Sequence, residues 1–138
     1  MAEIRMTDDA QRALREAERI CYQTNVAIGA PEHLLAAALA ILARQGTGGL
    51  PGDDALERAV LAVHAASDEE LREQVMWGSA AREALNQAAS GVAEAGETDI
   101  DARILALGII DSGEVNPMFF MSAGADKGSL RAVLAAGE

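Results

Sequence analysis

Ile28-Gly29-Ala30-Pro31-Glu32-His33-Leu34-Leu35-Ala36-Ala37-Ala38-Leu39 is the stretch on which the fold turns. A short turn delivers the chain into a helix that opens Pro-Glu-His and runs directly into apolar residues. Pro31 suits a first helical turn, where its fixed φ and missing N–H cost nothing. Glu32 puts a negative charge at the end of the helix where the peptide dipoles favour one. Leu34, Leu35, Ala38 and Leu39 recur at helical spacing and predict a helix over 31–44, buried on at least one side.

Working outward, Thr7 before Asp8 and Asp9 reads as an N-cap with an acidic first turn. Behind it Ala10, Ala13, Leu14, Ala17, Ile20 and Cys21 fall on one helical face, and Arg12, Arg15, Glu16 and Arg19 on the other, predicting a first helix over 7–24. Gln45-Gly46-Thr47-Gly48-Gly49-Leu50-Pro51-Gly52 is a loop by composition. Asp53 or Asp54 is expected to cap a third helix carrying Leu56, Ala59, Val60 and Val63. Ser67-Asp68-Glu69-Glu70 has the spacing of a capping box and predicts a short fourth helix with Leu71 and Val75.

The pattern then restarts. Ala81, Ala84, Leu85, Ala88 and Val92 repeat the face of the first helix at an offset of 71. Ile104-Leu105 answers Leu34-Leu35 at 70, and Leu130-Arg131 answers Leu71-Arg72 at 59. Asp111-Ser112-Gly113-Glu114 replaces the longer glycine loop of the first half. The economical reading is an all-α chain of about eight helices, one domain over 1–138 built from two four-helix pseudo-repeats, 6–75 and 76–138.

Composition narrows the function. Half of the 138 residues are apolar, but only 3% are aromatic, which favours close-packed helices over a β-sandwich. The net charge of −11 disfavours a nucleic-acid or anionic-membrane surface. No stretch reaches the roughly 18 apolar residues of a membrane span, nor does the N-terminus resemble a signal peptide, so a cytoplasmic location is expected. The lone Cys21 permits no internal disulfide and, within an apolar face, is expected to be inert.

His33 and His64 have no partner at metal-ligand spacing, so no metal or cofactor is expected, and a structural role is the simpler reading for both. Gly46-Thr47-Gly48-Gly49 lacks the Lys-Ser or Lys-Thr of a phosphate loop. No nucleophile–base grouping stands out, and the chain is expected to have no catalytic residues. Met6 and Trp77 each precede a repeat's first helix by the same step. They fit either a hydrophobic staple or the lining of a groove where the repeats meet. Met118-Phe119-Phe120-Met121 cannot all face one side of a helix. At least two are expected in the core, with Phe119 or Met118 partly exposed, as at a surface suited to a partner or a homodimer.

Taken together, Met6-Thr7-Asp8 with Ala10 and Leu14, Glu32-His33-Leu34-Leu35, Leu71-Arg72-Glu73-Gln74-Val75, Trp77, and Ala123-Gly124-Ala125-Asp126 with Leu130-Arg131 resemble the N-terminal domain of the Clp (Hsp100) ATPases. The likeness spans about 6–135. It implies a double four-helix repeat that binds adaptor proteins and substrate segments without catalysing a reaction. Partners would be a Clp ATPase, the ClpP core, or adaptor and substrate segments, met at Met6, Thr7, Glu32 and Trp77. In ClpC-type domains the Glu of each Glu-His-Leu-Leu string helps bind phosphoarginine. That role carries to Glu32 only, because the second repeat reads Ala102-Arg103-Ile104-Leu105 at the matching place. No Walker motif occurs in these residues, and Met1 with a finished last helix suggests a free-standing domain. A second expectation, implied by the cyclic-peptide antibiotics that bind ClpC domains, is a small-molecule-binding or sequestering protein on the same fold.

Overall fold

The computed structural model describes residues 5–66 and 74–136. In chain order the elements are β1 (Arg5–Met6), α1 (Asp8–Thr24), β2 (Ile28–Gly29), α2 (Pro31–Arg44), α3 (Asp53–Val63), β3 (Met76–Trp77), α4 (Ser79–Glu94), β4 (Asp99–Ile100), α5 (Ala102–Asp111), α6 (Pro117–Ala123) and α7 (Lys127–Ala136). The fold is all-α, with seven helices among the described residues and four strands of two residues each. The fourth helix expected from Ser67 falls mostly on residues outside those described. Gln74 and Val75 are not helical and lead into β3.

Helix α2 is the centre of the molecule, and its sequence says why. From Pro31 to Leu42 every residue is buried, because α2 packs on α1, α3 and α5 at once. A helix apolar all round is stable only when surrounded. In the second half α5 takes the same place between α4, α2 and α7, while α3 packs against α6. Helix α1 shows the opposite pattern, burying only Ala10, Ala13, Ala17 and Cys21 along one stripe. It ends where Asn25 adopts the left-handed conformation, φ 56°, and the Asn25 and Val26 N–H groups bond back to Tyr22 and Cys21 carbonyls.

Small residues set the helix spacing. A Cβ on Gly108 of α5 would lie 2.6 Å from Cα and 2.5 Å from Cβ of Ala88 in α4, so the two backbones meet where neither has a side chain to spare. Phe119 and Phe120 are both buried, edge to face at 5.7 Å, whereas Met118 and Met121 stand exposed. Two of that run are thus core and two are surface.

The structure corrects three local expectations. Gly52, not Asp53 or Asp54, is the N-cap of α3, and both acids lie inside its first turn. Thr7 is the N-cap of α1, but its hydroxyl donates to the Asp9 carboxylate instead of accepting from the backbone. The internal repeat also has a different register. The strand pairs and the N-caps Ala30 and Asp101 match at an offset of 71, and so do the buried pairs Leu34/Leu105 and Leu35/Ala106. Arg103, not Ala102, therefore occupies the place of Glu32.

The short strands tie the two halves crosswise. β1 pairs in parallel with β4, and β2 with β3, so each half supplies one strand to each pair. The bonds are well formed: Arg5 N–H to Thr98 at 2.8 Å, Thr7 N–H to Ile100 at 2.9 Å, Met76 N–H to Ala27 at 3.0 Å and Gly78 N–H to Gly29 at 2.9 Å.

Candidate functional site

Met6 and Trp77 do not share a groove. Met6 lies in β1, at the start of α1, beside Ile100. Trp77 lies in β3 beside Gly29, in the strand that follows the end of α1. A 17-residue helix separates these ends, about 25 Å at 1.5 Å per residue. Met6 is half-buried against the core, and Thr7 is occupied at the N-terminus of α1. Trp77 reaches across to the other half. Its ring covers the backbone of Gly29, where a Cβ would stand 2.2 Å from Cε3 and Cζ3. Glycine at position 29 is what lets the indole cross from one half to the other.

Glu32 lies at the same end as Trp77, three residues beyond Gly29, yet it faces inward and is only 3% exposed. One carboxylate oxygen takes the His64 Nε2–H at 2.6 Å, and the other takes the Asn116 N–H at 3.0 Å. This acid thus joins the end of α3 and the cap of α6 to the first turn of α2. Glu32 and its neighbour His33 have separate partners, as adjacent residues about 100° apart on a helix should. His33 Nδ1 accepts the Ala30 N–H at 3.0 Å, which is half of a capping box, and its ring stacks on His64 at 4.9 Å between centroids.

His33 is fully buried, and its Nε2 has no hydrogen-bond partner. Burial first, and the neighbouring His64 second, push its pKa down to about 4, so the ring is neutral with its proton on Nε2. Cys21 is also fully buried, and desolvation followed by the nearby Glu18 carboxylate pushes the thiol up to about 12. No group of three or more His, Cys, Asp or Glu among the described residues is placed to hold a metal ion.

Three side chains that sequence reasoning passed over complete the Trp77 end. Ile28 and Met76 are paired neighbours across β2 and β3, 64% and 71% exposed. Tyr22 is also exposed, and its hydroxyl accepts the Val75 N–H at 3.4 Å, next to Met76. The repeat shows how unusual this is. At the other end of α1 the equivalent pair is Arg5 and Asp99. The signal was available in the sequence as apolar residues beside a glycine at 28 and beside the tryptophan at 76, but a two-residue strand has no periodicity to announce it. No helix of the described residues is long and apolar enough to cross a membrane.

This architecture is that of a Clp N-terminal domain. The chain superposes on the N-terminal domain of the caseinolytic protease associated chaperone ClpD from Arabidopsis thaliana with a TM-score of 0.77, covering 96% of this chain and 93% of that one at 17% identity. It is also similar to the Hsp104 N-terminal domain from Candida albicans, with a TM-score of 0.64, 94% and 88% coverage and 17% identity. The sequence matches no protein-family model and no curated protein.

Proposed function

We propose that this protein is a non-catalytic protein-binding module that serves Clp-dependent unfolding and proteolysis as an accessory or adaptor factor. It would engage an apolar segment of a Clp ATPase, of the ClpP core or of a substrate. The observation that carries the reading is the exposed pair Ile28 and Met76 beside Trp77 and Tyr22, at a place where the other half of the molecule presents Arg5 and Asp99. Contiguous exposed apolar side chains mark binding surfaces more often than scattered ones do. Tyr and Trp add large rigid area with a polar tip. Glu32 supports this surface from inside, holding α2 and α6 in place behind it.

The test is binding of purified Clp ATPase, ClpP and an unfolded model protein to the immobilised domain. The double substitution Ile28→Asp with Met76→Asp should weaken capture at least tenfold, about 1.4 kcal/mol. Arg5→Ala with Asp99→Ala, at the equivalent far end, should leave it unchanged. Equal binding by both variants, or no binding by the parent protein to any of the three, would remove the support for this reading.

A further inference from the structure

Arg12, Arg15 and Arg19 follow one another at i, i+3 and i+7 on α1, and all three are exposed. Arg44, in the last turn of α2, stands beside them. Glu16 joins the two helices, taking Arg19 Nε at 3.0 Å and Arg44 Nη2 at 3.6 Å. The Arg19 hydrogen bonds and charge, with Arg44 behind, hold its carboxyl below the usual range. Around this bridge lies a concavity of about 380 Å³ lined by the four arginines, Glu16, Ile41 and Gln45. Four guanidiniums face one carboxylate there. The chain has 22 acidic residues against 11 basic ones, so this cup holds more than a third of its positive charge.

The cup opens into a second concavity of about 480 Å³ between α1, α2 and α3, sharing Glu16, Arg19 and Arg44. Its apolar surface comes from Ile20, Ala36, Ala40, Leu56, Val60 and Leu61, and Asp53 and Glu57 also line it, Asp53 near enough to Arg19 to favour that guanidinium's charge. Ala36 and Ala40, one turn apart on α2, leave the depression that bulkier residues would fill.

We infer that the cup and trough form a second docking surface, independent of the proposed function and its residues, whose occupant is an acidic amphipathic peptide segment of another protein. Apolar side chains of the segment lie in the trough, and its carboxylates meet Arg12, Arg15 and Arg44. Charge complementarity selects this occupant. A basic segment would be repelled by Arg12 and Arg15, the two guanidiniums of the cup that Glu16 does not pair. An extended polyanion such as nucleic acid would run beyond the cup into the field of a chain with net charge −11. A short acidic segment stays within the patch, where at physiological salt the screening length of about 8 Å makes local charges decisive. Guanidinium groups also suit carboxylates because they can bond both oxygens at once.

The experiment is fluorescence anisotropy of a dye-labelled synthetic peptide carrying three leucines at helical spacing followed by three glutamates. Titration with the intact protein should saturate at micromolar concentration. Arg12→Glu with Arg15→Glu should weaken binding at least tenfold while the far-UV circular dichroism and melting temperature stay as in the parent. A peptide with Gln for each Glu, or Ser for each Leu, should bind at least tenfold more weakly to the unaltered protein. Ile28→Asp with Met76→Asp should bind the parent peptide as before. The inference is overturned if the protein fails to bind the peptide, if the arginine variant binds it equally, or if the Ser-for-Leu peptide binds as well as the original. Loss of binding in the Ile28/Met76 variant would also overturn it, by placing the peptide on the other surface.

Discussion

Changing His33 to Gln should flatten the acid sensitivity of this protein. The buried imidazole titrates near pH 4 in the folded chain, against an ordinary 6.5 when unfolded. Between those values the unfolded state binds the extra proton, so stability rises with pH. The contribution is complete above pH 6.5 and is lost as pH falls towards 4. At pH 4.5 the loss amounts to about 2.5 kcal/mol. Gln is chosen because its side-chain oxygen can replace Nδ1 in accepting the Ala30 N–H, while nothing at the position titrates. Urea unfolding of both proteins at pH 7.5 and 4.5, followed by Trp77 emission and far-UV circular dichroism, gives the four free energies required. Carboxylates such as Asp9 and Glu16, whose pKa values are lowered in the fold, titrate alike in both proteins and cancel in the difference. The parent should lose about 2.5 kcal/mol more than the variant. Parallel losses would refute the argument, because they would mean that His33 is charged, or solvated, at pH 4.5 in the folded state.

Other substitutions test the packing. Gly108→Ala drives a methyl into the Ala88 backbone and should cost about 3 kcal/mol, read as a fall in urea midpoint. Gly91→Ala, in open space within α4, should instead gain about 0.5–1 kcal/mol through helix propensity. Gly29→Ala should displace the Trp77 ring, shifting its emission to longer wavelength and lowering the melting temperature. Glu32→Ala leaves the His64 and Asn116 N–H groups without their acceptor and should cost about 2 kcal/mol in chemical unfolding. Cys21 should react with a thiol reagent only at the rate of unfolding, and faster labelling in native buffer would contradict its burial.

Helices α1 and α2 were legible because each has a distinct start and a strong pattern. The acid-rich first turn and alanine stripe mark α1, and Pro31 and the long apolar run mark α2, whose observed bounds Pro31–Arg44 coincide with the expectation. A 71-residue spacing was legible too: the strands and helix starts of the two halves stand at the offset read from Ala81 to Val92. Its register was misplaced by one residue within α5, where Ile104-Leu105-Ala106-Leu107 offers no polar residue to show which of them face the core. The candidate site was much less legible. Glu32 and His64 meet across 32 residues of sequence, and no local spacing encodes that. Met6 and Trp77 hold equivalent positions, and equivalence in a pseudo-twofold molecule places them at opposite ends instead of together. The exposed pair Ile28 and Met76 needed the strand pairing to become neighbours.

The crossed strand pairing has a consequence for how such a chain could arise. Neither half holds a partner for its own strands: β1 needs β4, and β3 needs β2. Two identical copies of a half-length ancestor would satisfy each other in the same way, each lending its leading strand to the second strand of its twin. The present molecule is laid out like such a pair joined in one chain, with Arg5 and Asp99 at one seam and Ile28 and Met76 at the other. Severed between its halves, the protein should behave as a complementation pair, two fragments that are mutual templates and regain the native circular dichroism only when mixed.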